Sequence, residues 1–222
     1  MISLQAVLSL VLPLVGAAVV APLLIWNFRR RRAALAQRAA EAAAAGWVLA
    51  PPNPWLEEVA AGLYTHGEAT EMYAGDYRGR GMCVFDYTYT TSSGKTQQTH
   101  TVHLVALNLP ASLPPLTLMH DSGLRRALRG RDLQLENEQF NERFRVECAD
   151  DRYGSAVMHP RMMECVLQNP GLEWQIAGNA LVSWGTGGFA VPDVLARLEA
   201  MSRLIDLIPS FVLRDYGQPT FR

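Results

Sequence analysis

The N-terminal part of the chain is apolar and ends at a basic cluster. Residues 1–28 contain no charged side chain. The arginines that follow them directly are Arg29, Arg30, Arg31 and Arg32. Because a helix of about 20 apolar residues crosses the hydrocarbon core of a bilayer, this pattern predicts a transmembrane helix over residues 1–28.

The position of the basic residues distinguishes an anchor from a cleavable signal peptide. A signal peptide carries its basic residues before a shorter apolar core, whereas here no Lys or Arg precedes the core. Cytoplasmic flanks of membrane helices are enriched in Lys and Arg. We therefore expect a single-pass protein of the inner (plasma) membrane, embedded in the lipid bilayer through this helix. Its N-terminus is expected outside and its C-terminal domain in the cytoplasm.

Residues 29–52 differ in composition from what precedes and follows them. From Arg30 to Ala45 they are mostly strong helix formers, which predicts a helical stalk that stops at Gly46. A linker then runs to residue 52, where Asn53 and Pro54 suit the cap and first turn of a new helix. Residues 53–222 are assigned to one cytoplasmic domain, a length typical of single domains.

Alternating apolar and polar residues predict strands in the first half of this domain. Residues 83–90 place aromatic side chains on one face, and residues 99–109 are apolar on both faces. A turn at residues 91–95 would join the two strands as a hairpin. Because proline cannot donate to a strand ladder, the proline-rich stretch 110–115 is expected to end the second strand. Residues 116–119 are then expected to form a separate strand.

The second half of the domain mixes short strands and helices. Trp174–Ile176 and Ala180–Trp184 are predicted to form a hairpin around Gly178 and Asn179, a favoured turn pair. Apolar residues recur at spacings of three and four in a last helix. They are Val194, Leu198, Met201, Ile205 and Ile208. Strands separated by a few helices predict the α+β class with a mainly antiparallel sheet.

Charge and cysteine content narrow the range of functions. A formal net charge of −1 gives no electrostatic basis for binding nucleic acid, so no such partner is expected. Cys83, Cys148 and Cys165 are widely spaced and form no CxxC motif. This pattern favours buried, reduced thiols, in agreement with a cytoplasmic domain.

No motif predicts catalytic residues, a metal site or a cofactor. The segment Ser93–Thr96 contains Gly-Lys-Thr, but a phosphate-binding loop requires a glycine at the position of Tyr89. His100 and His103 lie three residues apart in a predicted strand, so their side chains should point to opposite faces. Neither segment therefore predicts a ligand site.

Arg78 and Arg80 lie in a glycine-rich segment, Tyr77–Gly81. Arginine side chains recognise phosphate and carboxylate groups, so this pair is the candidate ligand contact. The alternative, which turn chemistry favours, is a turn into the next strand with two solvated arginines.

Several segments resemble an uncharacterised family of single-pass membrane proteins that is frequent in actinobacteria. They are Gly75–Arg80, Phe85–Tyr89, Leu135–Asn141, Phe144–Val146, His159–Glu164 and Trp174–Gly178. The resemblance implies an N-terminal anchor and a cytoplasmic domain. It supplies no activity, so no catalytic residue is transferred.

These observations favour a membrane-anchored interaction or ligand-sensing module over an enzyme, with a possible protein partner at the inner face of the membrane. Two alternatives stay open. One is a membrane-tethered enzyme with a non-local active site. The other is recognition of an anionic lipid or an envelope precursor.

Overall fold

The computed structural model describes residues 4–94, 96–120 and 133–218 of the chain. The side chains up to residue 21, and those of residues 23, 31 and 93, are outside the description. The chain divides into two compact units, one up to Ala45 and one from Gly46 onwards.

The first unit consists of a single helix, α1 (Leu4–Ala44). It includes the predicted stalk, and Gly46 follows its end with a φ of 80°. This left-handed conformation is the usual way in which a helix stops at glycine. Among the described residues, no helix has the length and apolar composition that crossing a membrane requires.

The second unit is built on one antiparallel sheet with six strands. The strands are β1 (Val48–Leu49), β2 (Gly67–Tyr77), β3 (Arg80–Ser93), β4 (Thr96–His120), β5 (Phe144–Cys148) and β6 (Glu173–Thr186). β1 to β4 pair in sequence order, and the predicted hairpin joins β3 to β4 at Gly94. The predicted α+β class with an antiparallel sheet is confirmed.

The prediction that prolines end β4 is wrong. β4 continues through Pro110, Pro114 and Pro115. On one side, β3 pairs with it as far as Leu107 and β5 pairs with it from Leu116. The prolines lie between the part of β4 that pairs with β3 and the part that pairs with β5. Proline has no N–H to donate, but here no hydrogen bond to β3 or β5 depends on it.

The predicted hairpin around Gly178 is also wrong, because β6 is one continuous strand that runs along β4. The pairing changes register between Asn108 and Leu116, opposite Gly178, whose φ is 53°. A glycine in this conformation suits a bulge as well as a tight turn. Here the bulge forms rather than the turn, because β6 stays paired with the long strand β4 on both sides of Gly178.

The β4–β6 pair bends back on itself at this irregular stretch. Ten residues of straight strand would span about 33 Å, yet the Ser183 hydroxyl donates to the carbonyl of Glu173 at 2.6 Å. Met119 likewise belongs to the same hydrophobic cluster as Leu104, near the other end of β4. The two halves of the pair therefore face each other.

Helices cover both faces of the sheet. They are α2 (Pro54–Leu63), α3 (Glu138–Asn141), α4 (Asp151–Val157), α5 (Pro160–Gln168), α6 (Val191–Leu207) and α7 (Ser210–Asp215). Leu56 and Ala60 of α2 pack with Phe85 and Leu104 on one face. The predicted apolar positions of α6 are all buried, and α6 contacts β4.

Side-chain caps begin two of the helices, and the cap at Asn53 is the predicted one. The side chain of Asn53 accepts the N–H of Trp55 at 3.1 Å, with Pro54 in the first turn of α2. Asp150 caps α4 in the same way, accepting the N–H of Arg152 at 2.8 Å. Such caps satisfy helix N–H groups that have no partner within the helix.

Candidate functional site: a groove beside helix α2

A groove of about 340 Å³ lies between α2 and the second half of the sheet. One wall is a single face of α2, because its lining residues follow helical spacing. The lining residues are Trp55, Glu58, Val59, Gly62 and Leu63 from α2, and Thr117, Met119, Glu147 and Gln175 from the sheet. A second cavity of similar size shares Thr117 and Glu147 and continues along Pro114 and Pro115.

The floor of the groove carries a row of polar side chains from three strands. Thr117 of β4 lies directly opposite Glu147 of β5 on one side and Gln175 of β6 on the other. Directly paired residues project from the same face of a sheet. The row therefore lies together although its members come from separate parts of the sequence.

A buried arginine lies beside the carboxylate of this row. Nε of Arg145 lies 3.2 Å from Oε1 of Glu147, and the Arg145 side chain is only 7% exposed. Arg145 and Glu147 are two residues apart in β5, so their side chains project from the same face. Glu147 also lines the groove, so its side chain brings hydrogen-bond acceptors to it.

The α2 wall combines an exposed ring with open space. Trp55 is a large hydrophobic residue that is 39% exposed. Gly62 faces space: a Cβ atom built there meets nothing within 4 Å. The groove is therefore open beside Gly62, and a larger side chain at this position would enter it.

Next to the bend lies a polar network that connects α6 to β6. Nη1 of Arg197, from α6, donates to the Ser183 hydroxyl at 2.6 Å and to the Trp184 carbonyl at 2.8 Å. Nε1 of Trp184 donates to the Glu173 carboxylate at 2.9 Å. That carboxylate also accepts the backbone N–H of His120 at 2.9 Å. These bonds link the two ends of β6.

Asp86, His103 and Ser183 are buried polar residues whose types recur in catalytic triads. Nδ1 of His103 lies 3.0 Å from the Gly187 carbonyl and must donate to it, because a carbonyl only accepts. The Asp86 carboxylate accepts the N–H of Phe189 at 2.8 Å. The Ser183 hydroxyl is fully buried and bonds to Glu173. The His103 and Asp86 contacts hold the loop before α6, and the Ser183 contact joins the two ends of β6.

Burial determines the electrostatics of this region. Desolvation lowers the pKa of His103, and the nearby Arg197 cation lowers it further. Gly185, opposite His103, leaves room for the ring, since a Cβ there would lie 2.5 Å from Cε1 of His103. The imidazole is therefore kept neutral and tightly enclosed.

The three cysteines are free, and all are partly rather than fully buried. Burial raises the pKa of Cys83 to about 12. It also raises the pKa of Cys148 and of Cys165. Since the thiolate is the reactive form of cysteine, these thiols have the properties of structural residues.

The candidate ligand contacts Arg78 and Arg80 lie at the turn between β2 and β3, away from the groove. Arg78 forms an ion pair with Glu199 at 2.6 Å, and Arg80 forms one with Asp206 at 2.7 Å. Tyr77 also donates to Glu199 at 2.8 Å, and this bond lowers the pKa of that carboxyl. The two arginines therefore tie this turn to α6.

The arginines that were predicted to flank the membrane lie on α1. Arg30 lies over the ring of Trp26, with 5.5 Å to the centroid, and Arg32 lies over Phe28 at 4.6 Å. Arg29 is exposed, and the side chain of Arg31 lies outside the described residues. Both ring contacts join residues four apart, which face each other on a helix.

No metal-binding arrangement occurs among the residues that the structure describes. Nε2 of His100 contacts the Thr91 hydroxyl at 2.9 Å, whereas His103 contacts Gly187. The two histidines thus lie in different environments, as their odd spacing predicts.

Sequence reasoning did not find the groove. Its floor depends on the register of β4 with both β5 and β6, and no local pattern specifies that register. The local signal was an aromatic residue, Trp55, two positions after the predicted cap Asn53.

Comparison with known proteins identifies a fold but no family. No family model matches the sequence, and no curated protein sequence matches it. A similar fold occurs in the crystal structure of the mycobacterial trehalose monomycolate transport factor A, TtfA, with a TM-score of 0.51. The match covers 83% of this chain and 96% of that chain at 13% identity. At this identity the likeness concerns the fold alone.

Proposed function

We propose that this chain is a single-pass inner-membrane protein whose cytoplasmic α+β domain binds a ligand or partner in the groove beside α2. The groove is the observation that carries the proposal, because an open concavity with a few converging polar groups is the usual form of a binding site. The uncharged run before Arg29 supports the anchor and its orientation. Membership of the uncharacterised actinobacterial family is part of the same proposal.

A role in handling an envelope precursor is the second candidate. It is favoured by the fold shared with a trehalose monomycolate transport factor. A membrane-tethered enzyme has less support, since Ser183 and His103 both bond to backbone carbonyls in the described part of the chain. A protein partner at the inner face of the membrane is another occupant of the groove that the capture experiment would identify.

The test compares two substitutions at one position. Full-length protein is captured from its own membranes as wild type, Gly62→Phe and Gly62→Ala, and the co-purifying proteins and lipids are identified. Phenylalanine fills the groove beside α2, whereas alanine leaves it open and stabilises the helix by about 0.8–1 kcal/mol. We expect a molecule that is lost only from Gly62→Phe. Equal recovery with all three proteins would contradict the proposal.

The proposed orientation needs a separate measurement. A reporter that works only in the cytoplasm, fused after Arg222, should be active. Replacing Arg29 to Arg32 with neutral residues should increase the inverted fraction. Activity of an export-dependent reporter at the same position would contradict the orientation and leave the groove unaffected.

A further inference from the structure

The polar row of the groove offers three different kinds of hydrogen-bonding group. The Glu147 carboxylate only accepts, whereas the Thr117 hydroxyl and the Gln175 amide each donate and accept. Neighbouring strands lie about 4.8 Å apart, so the row is about 10 Å long. A ligand that matches this row must carry several adjacent groups that both donate and accept hydrogen bonds.

Trp55 adds a flat apolar surface to the same cavity. Its indole ring is partly exposed beside the row rather than covered by the core. Aromatic rings contribute large contact areas at low entropy cost. A ligand with hydroxyls around its rim and C–H groups on its faces matches both parts of the groove, and a sugar ring has this construction.

The charged residues of the groove favour a neutral ligand over an anionic or a cationic one. Glu58, Glu147 and Asp150 line the two cavities, so a phosphate would meet negative charge. A cationic ligand would meet the positive charge of Arg145 beside Glu147. It would also leave the hydrogen-bond donors of Thr117 and Gln175 without an acceptor. A neutral ligand rich in hydroxyls makes use of all of these groups.

We propose that the groove beside α2 binds a sugar of one or two rings, with its hydroxyls on Glu147, Thr117 and Gln175 and a ring face against Trp55. This inference rests on the proposed function and names the ligand class of the same site. The adjoining cavity is lined by Pro114, Pro115 and Ala149. It supplies apolar surface next to the sugar, so an acylated sugar should bind more tightly than a free one.

The experiment uses the full chain in nanodiscs of lipids without sugar headgroups, since alkyl glycoside detergents would compete. The five tryptophans are labelled as 5-fluorotryptophan and observed by ¹⁹F NMR. Glucose, trehalose and maltose test the free sugar, and a monoacylated disaccharide below its micellar concentration tests the lipid headgroup. Glycerol controls for general solvent effects, and an arginine-rich peptide tests a cationic ligand.

We expect a saturable shift of the Trp55 resonance with a sugar and none at Trp174, which is 1% exposed. Tighter binding of the acylated sugar assigns the natural source to a lipid, and equal binding assigns it to the free sugar. Absence of a saturable shift with every sugar, or saturation by the peptide alone, overturns the inference. A shift of the Trp55 resonance with glycerol that equals the shift with sugar would also overturn the inference.

Four variants test the assignment to this groove. Hydrogen bonds to a charged group contribute about 1.5–3 kcal/mol, so Glu147→Gln should raise Kd by about tenfold or more. Thr117→Val keeps the shape of the residue and should raise Kd by about two- to tenfold. Gly62→Phe should abolish binding and Gly62→Ala should preserve it. Sugar binding that survives Gly62→Phe overturns the inference.

The capture experiment separates this inference from the proposed function. If sugars fail to bind while Gly62→Phe still loses a captured molecule, the groove functions but its ligand is of another class. If neither effect occurs, both proposals fail.

Discussion

Replacement of Arg197 tests whether the network at the bend of β6 stabilises the fold. The guanidinium donates to the Ser183 hydroxyl at 2.6 Å and to the Trp184 carbonyl at 2.8 Å. Hydrogen bonds from a charged donor contribute about 1.5–3 kcal/mol each, so the two together contribute about 3–6 kcal/mol. Burial opposes this gain, because desolvation lowers the pKa of Arg197 and thus disfavours the charged form.

Removing the charge in Arg197→Met recovers part of that desolvation cost. We therefore expect a net loss of about 2–4 kcal/mol. At about 2–4 °C per kcal/mol for a domain of this size, Tm should fall by roughly 4–16 °C. Thermal unfolding of the purified chain, followed by tryptophan fluorescence, measures the change.

The matched control lies on the same helix. Nε of Arg203 is 3.9 Å from Oε1 of Glu199, and its side chain is 54% exposed. Arg203→Met should cost less than about 0.5 kcal/mol, as is usual for surface ion pairs. Equal melting temperatures for the two variants would refute the reasoning, since Arg197 would then behave as a surface residue.

Four further predictions concern the rest of the second unit. Phe144→Ala should destabilise the protein by about 3–5 kcal/mol in urea unfolding, because Phe144 is 3% exposed and stacks on Phe140; an unchanged midpoint would contradict this. Burial lowers the pKa of His103, so the unfolded chain binds this proton more readily than the folded one. Stability should therefore be complete above about pH 6.5 and decline below it, and His103→Gln should flatten the decline between pH 7 and 5. Arg78→Ala/Arg80→Ala should cost at most about 1 kcal/mol per ion pair, and weaker, salt-dependent binding to anionic vesicles would support a ligand role. A chain that starts at Gly46 should unfold cooperatively without detergent, which calorimetry can verify.

Local patterns predicted those elements whose determinants are close together in sequence. The predicted Asn53 cap depends on a side chain and on N–H groups two or three residues away. The apolar face of α6 follows from helical spacing alone. The β3–β4 hairpin follows from the turn at Gly94 between an alternating strand and a strand that is apolar on both faces.

The two incorrect predictions have a common physical cause. Proline and glycine were read as ends of strands, but each is also compatible with a strand when the neighbouring strand permits it. Pro114 has no β3 or β5 residue to bond with, and Gly178 lies opposite the irregular stretch of β4. Such compatibility depends on the partner strand, which a local pattern does not reveal.

The same irregular stretch connects the fold to the candidate site. The bend brings Glu173 next to Ser183 and Trp184, and Arg197 of α6 bonds to both of these residues. Gln175, on the same side of the bend as Glu173, lines the groove. Because Gln175 is two residues from Glu173, the network that fixes one end of β6 also fixes one end of the polar row. Arg197→Met should therefore weaken the binding of any ligand that contacts Gln175, although Arg197 does not line the groove. Unchanged affinity in a destabilised Arg197→Met protein would show that the row keeps its position without the network.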